Sequence, residues 1–142
     1  MTVRNGTSAA RSRHGHGPAA LDRGFRPFFL MAGAWAAGAL ALFIADLQGW
    51  TVLRTAFDPV DWHAHEMLFG YISAAIAGFL LTAIPNWTGR LPIQSAPLLG
   101  LALVWLAGRI AIGVSALIGA APAALIDLAF LFLLCAVTLR EI

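Results

Sequence analysis

A chain of 142 residues that is 60% hydrophobic and 11% charged cannot hide its apolar side chains in one small water-soluble core, because its surface would remain apolar too. Ordinary soluble domains carry about 25% charged residues, so the composition points to an all-α bundle whose solvent is lipid. The net charge of +2 comes from Arg with no Lys, and five of the nine Arg precede residue 27. Basic residues placed before the first apolar span are topological and lipid-facing charge, which sets aside a nucleic-acid partner.

Residues 1–26 are polar and rich in Gly, Ser, Arg and His, and read as a disordered cytoplasmic tail. His14-Gly15-His16 is a low-complexity stretch able to catch metal only weakly. The first span is predicted at about 27–47, with Pro27 in its first turn, where a missing N–H costs nothing. It is longer than the apolar region of a signal peptide and is read as a retained helix. Ala34 and Gly38 form a small-xxx-small pair that permits close helix packing.

After a loop over residues 48–62, Asp58-Pro59-Val60-Asp61 reads as a helix start, with Asp58 as N-cap and Pro59 as first helical residue. The second helix is predicted to reach about Ile84 and to stop at Pro85-Asn86. Its first turns lie at the membrane surface, and its spanning part covers about 63–84. A third span follows at about 97–118 and a fourth at about 122–139, joined by Gly119-Ala120-Ala121-Pro122. Loops this short make sequential helices antiparallel neighbours. The reading is therefore four antiparallel transmembrane helices in one bundle.

Placing the N-terminus in the cytoplasm puts Arg4, Arg11, Arg13, Arg23, Arg26, Arg90 and Arg140 inside and Arg54 outside, in keeping with the positive-inside bias. Trp50 and Trp62 then belong to the outer aromatic belt and Trp87 to the inner one. Cys135 lies alone in an apolar run, so no intrachain disulfide forms, and it reads as a small buried hydrophobe.

The densest polar cluster is Asp61-Trp62-His63-Ala64-His65-Glu66-Met67. Imidazole is the commonest metal ligand, and a thioether favours copper(I) or haem iron. On a regular helix His63, Glu66 and Met67 share a face, whereas His65 points about 200° away from His63. Either His63 works with Glu66 or Met67, or the two His serve different sites, or the helix starts later and the pair is extended. The bland alternative is a polar cluster at a helix start, hydrogen-bonded or wet.

Two further charges fall inside spans. Arg109 and Asp127 lie at similar depths counted from the turn between the last two spans, and a pair is expected, because a lone charge in hydrocarbon costs several kcal/mol. The competing reading gives Arg109 an anion such as a haem propionate. Asn86-Trp87-Thr88-Gly89-Arg90 reads as a helix stop with an interfacial Trp and a topogenic Arg. No phosphate loop, serine-hydrolase elbow or nucleophile with a base is present, so no catalytic set can be assembled from the sequence.

Taken together, Arg26-Pro27-Phe28-Phe29, Trp62-His63-Ala64-His65-Glu66-Met67-Leu68-Phe69-Gly70, Gly78-Phe79-Leu80-Leu81-Thr82-Ala83, Pro85-Asn86-Trp87-Thr88-Gly89-Arg90 and Trp105-Leu106-Ala107-Gly108-Arg109 closely resemble the N-terminal part of the NnrS family, over nearly all of residues 23–142. The resemblance implies a polytopic bacterial inner-membrane protein, linked to denitrification and the response to nitric oxide, that contains haem and copper. It makes His63, His65 and Met67 the candidate metal ligands, and Glu66, Arg90 and Arg109 candidates for cofactor contacts. Family members continue well beyond four spans. The chain is therefore expected to be an N-terminal fragment, a truncated reading frame or a short relative, with further helices or a homo-oligomer completing the site. Two other classes compete: an ion-pathway component lined by Arg109, Asp127, His63 and Glu66, and a structural bundle that docks onto other subunits.

Overall fold

The computed structural model describes residues 25–50, 53–89 and 96–142. The expectations for Arg90 and for residues 1–24 of the tail fall outside them, whereas Phe25 and Arg26, read as the end of the tail, are the first two residues of a helix. Helix α1 covers Phe25–Leu47, α2 Pro59–Thr88, α3 Ala96–Gly113, the short α4 Ser115–Ile118, and α5 Ala120–Glu141. No strand occurs among the described residues. Helices α1, α2, α3 and α5 are each long and apolar enough to cross a membrane, so the chain is an all-α polytopic membrane bundle.

Helix α2 opens as its sequence dictates. Asp58 is extended (φ −65°, ψ 155°), Pro59 follows, and the Asp58 carbonyl accepts the Trp62 N–H at 2.8 Å. The Asp58 side chain, however, makes no capping bond. Over Glu66–Ile72 the helix widens into a π-helix, then returns to α geometry over Ser73–Thr88. Pro85 does not stop it. Pro removes one N–H and disturbs one turn, and three more residues remain helical before Gly89, at φ 71°, turns the chain and donates its N–H to the Pro85 carbonyl at 2.9 Å.

The third predicted span is divided in the structure. The Arg54 N–H donates to the Gly113 carbonyl at 2.9 Å, and the Ala116 N–H donates to the Arg54 carbonyl at 2.8 Å. The Ser115 hydroxyl donates to the Ile112 carbonyl at 2.8 Å and accepts the Ala56 N–H at 2.9 Å. The loop after α1 thus takes over bonds that a continuous helix would have made internally. Gly119 (φ 92°, ψ 151°), a conformation open to glycine, then reverses the chain into α5.

In the bundle, α1 packs on α2, α2 on α5, and α5 on α3, while α3 also touches the π-helical part of α2. One apolar cluster gathers Phe28, Ala32, Ala77, Leu98, Trp105 and Phe130, and a second gathers Ala39, Trp62, Ala111, Ile112 and Ala123. Trp35 packs against both. Trp62 is 2% exposed and so belongs to the core, not to an aromatic belt, because α2 turns the Trp62–Glu66 stripe inward. Trp50 and Trp87 are exposed. Cys135 also departs from its expected burial and lies on the outer face of α5.

The close helix approaches use glycines other than Gly38. A Cβ at Gly38 would have nothing within 4 Å, and the nearby Ala34 is exposed. At Gly108 of α3 a Cβ would stand 3.1 Å from the Asp127 Cα and 3.0 Å from its Oδ1, so the α3 and α5 backbones meet there. Gly108→Ala is expected to lower stability in detergent by about 1–3 kcal/mol through overpacking. Gly100→Ala, where nothing lies within 4 Å, should leave the unfolding midpoint unchanged or raise it.

Candidate functional site

The centre of the bundle is a polar network to which every spanning helix contributes. It begins where α2 departs from α geometry. A π-helix leaves carbonyls and side chains in positions that a regular helix does not reach, and such segments concentrate at functional sites. Glu66, the first residue of the π-helical segment, is 0% exposed, yet its carboxylate is fully engaged. Its Oε2 accepts the Trp35 indole N–H from α1 at 2.8 Å and the Arg109 Nη1 from α3, also at 2.8 Å. Its Oε1 lies 3.4 Å from His65 Nδ1.

Arg109 reaches in the other direction as well, and its Nη2 donates to Asp127 Oδ1 on α5. The second Asp127 oxygen lies 3.3 Å from His65 Nε2. His65, Glu66, Arg109 and Asp127 therefore close a ring of ion pairs and hydrogen bonds, and all but His65 are buried. Burying unpaired charge in hydrocarbon is costly, and this ring gives each carboxylate both a cation and a second donor position.

Indoles and a glycine frame the ring. The Trp105 indole N–H donates to the Gly70 carbonyl at 3.0 Å, a carbonyl in the π-helical stretch. The Arg109 guanidinium carbon sits 5.9 Å from the centre of the Trp105 ring, which is a cation–π contact. Trp35 meets Trp105 edge to face at 5.8 Å. Gly70 lies so close to Trp35 and Arg109 that no side chain fits there. Sequence reasoning missed Trp35, Trp105 and Gly70. The available signal was an indole in mid-span, since a buried Trp N–H requires an acceptor.

The two His of the sequence cluster point into different surroundings. His65 stacks on Phe69 at 4.6 Å, lies 5.3 Å from Phe57, and turns both ring nitrogens to carboxylates. His63 stacks on Phe43 of α1 at 4.5 Å, and its Nδ1 is buried without a partner. Met67, one turn beyond His63, is half-buried against the second apolar cluster. Two buried N–H groups also lack acceptors, Trp62 Nε1 and Arg109 Nε. Among the described residues, no three His, Cys, Asp or Glu side chains converge in a way that would hold a metal ion.

The haem or copper that the resemblance implies can be set against these positions. His65, Glu66 and Arg109 already face polar partners, Glu66 and Asp127 for His65 and Arg109, and Trp35, His65 and Arg109 for Glu66. His63 does suit the role of ligand. It keeps one imidazole nitrogen without a hydrogen bond, and its neighbour Met67 supplies a soft thioether on the same stretch of α2.

Four apolar spanning helices drawn around a buried ring of ion pairs define an integral membrane bundle with a polar centre. The family model for NnrS, described as NnrS protein, matches residues 19–142, and the chain belongs to that family. Neither a curated protein nor a solved structure matches it.

Proposed function

We propose that the chain is a bacterial inner-membrane protein of the nitric oxide response or of denitrification, that its N-terminus is cytoplasmic, and that it contributes His63, with Met67 beside it, as ligands to a haem or copper centre. Membership of the NnrS family supports the biological setting. The observation that carries the ligand assignment is the buried His63 Nδ1, an imidazole nitrogen with no hydrogen-bond partner. When bound, the metal would supply nitric oxide binding and redox chemistry. His63 and Met67 alone do not complete a coordination shell, so further helices or a second copy of the chain furnish the rest. In this reading the ring of Arg109, Glu66, Asp127 and His65 holds α2 in place and thereby sets the direction of His63.

The test is the absorption spectrum and metal content of the protein purified in detergent from cells supplied with haem and copper. His63→Ala is expected to lose most of the bound haem or copper, and His65→Ala to keep it while unfolding more readily. Equal metal content in wild type and His63→Ala would remove His63 as a ligand.

A second reading is favoured by the saturation of the ring. The polar centre is then a structural lock, and the bundle is an assembly unit that docks onto other membrane helices. Wild-type protein free of haem and copper, but recovered with a stoichiometric membrane partner, would select this reading over the first.

A further inference from the structure

Between α1, α3 and the loop leading to α2 lies a cavity of about 260 Å³. Its lining includes Trp35, Arg54, Leu106, Arg109, Ile110 and Val114. The walls are mostly apolar, and two guanidinium-bearing residues stand among them. Arg109 has its charge matched by Glu66 and Asp127. Arg54 has no ion-pair partner among the described residues.

The fold fixes where Arg54 sits. Its backbone is pinned on both sides to the end of α3, by the bonds to Gly113 and Ala116. That end is where the spanning helix α3 stops, and Arg109 lies one helical turn further in, about 6 Å along the axis. The side of the cavity formed by Leu106 (42% exposed) and Ile110 (59% exposed) opens laterally, on a surface that faces acyl chains in a spanning helix. An occupant therefore needs an anionic group at the membrane boundary and an apolar body that leaves sideways.

We propose that this cavity takes the headgroup of an anionic phospholipid, with the phosphate on the Arg54 guanidinium and the glycerol-ester region toward Arg109 and Trp35. Arg pairs with phosphate through parallel N–H donors, which gives the unmatched Arg54 charge a partner of fitting geometry. The acyl chains run down the Leu106–Ile110 face of α3. The apolar walls argue against free phosphate, which would gain nothing from them, and the unmatched positive charge argues for an anionic headgroup over a zwitterionic one.

The experiment is native mass spectrometry of the delipidated protein, re-exposed to equal amounts of dioleoyl-phosphatidylglycerol and dioleoyl-phosphatidylcholine. One basic residue near anionic lipid contributes about 1 kcal/mol, so wild type should retain the phosphatidylglycerol roughly fivefold better than the phosphatidylcholine. Arg54→Gln should abolish that preference. Leu106→Trp, which fills the cavity, should reduce retention of both lipids. Arg54 is exposed and its structural bonds are made by its backbone, so Arg54→Gln should fold as wild type does, with unchanged helicity by circular dichroism. Equal retention of the two lipids by wild type, or a preference that survives Arg54→Gln, would overturn the proposal. So would displacement of the lipid by glycerol 3-phosphate at matched concentration, which would assign the site to a soluble phosphate compound. Loss of the lipid on dimerisation would also overturn it and assign the face to a second copy.

Discussion

Replacing Arg109 with Leu is expected to destabilise the bundle by about 3–5 kcal/mol, the range for breaking a buried pair by removing one partner. The reason lies in what remains. Glu66 is 0% and Asp127 4% exposed, and both lose the cation that faces them. The Trp35 indole and His65 cannot replace a guanidinium that bridges two carboxylates on two different helices. Arg109→Lys should recover little, because an ammonium is a point charge without the planar fork that spans both partners. Adding Glu66→Gln and Asp127→Asn to Arg109→Leu should recover part of the loss, since the uncompensated charges go with them. Unfolding midpoints in detergent check each step. An Arg109→Leu variant as stable as wild type would mean that the ring contributes nothing to the fold.

Gly70→Ala should have the second largest effect. A Cβ at this position would lie 2.5 Å from the Trp35 Nε1, 2.7 Å from its Cδ1 and 2.9 Å from the Arg109 Nη1. Distances this short cannot be tolerated, and neither neighbour can move without giving up a hydrogen bond to Glu66. Overpacking alone costs about 1–3 kcal/mol, and the disturbed ring adds to it. Gly33→Ala on α1 is the comparison: nothing lies within 4 Å of its Cβ position, and helix propensity should then make the change neutral or stabilising by up to about 1 kcal/mol. Equal effects from the two substitutions would show that Gly70 is not packed as described.

The residues behind these effects were of unequal legibility in the sequence. The four spans follow from the length of the apolar runs, which a hydrocarbon layer about 30 Å thick selects. Arg109 and Asp127 could be matched by counting depth from the turn at Gly119, because helix rise is constant and unpaired charge inside a membrane is costly. The structure has them in direct contact. What could not be read were features set by tertiary partners. The π-helical stretch Glu66–Ile72 has no sequence periodicity of its own, yet it exposes the Gly70 carbonyl to Trp105. The break at Val114 depends on Arg54 and Ala56, more than fifty residues away in the sequence, taking the hydrogen bonds of Gly113, Ser115 and Ala116. Trp62 looked interfacial by position, but a helix face rather than depth decides its burial. Regular-helix geometry does separate His63 from His65, and the structure gives them distinct neighbours, Phe43 for one and Phe57, Phe69, Glu66 and Asp127 for the other.

The most direct test of the central claim, that a buried ring of charges joins the spanning helices, is a double-mutant cycle on Arg109→Leu and Asp127→Leu, measured by reversible unfolding in one detergent. The ring predicts that the double variant loses less stability than the sum of the single losses, with a coupling of about 0.5–3 kcal/mol. Strictly additive losses would contradict it, and would leave Arg109 and Asp127 as neighbours that do not depend on each other.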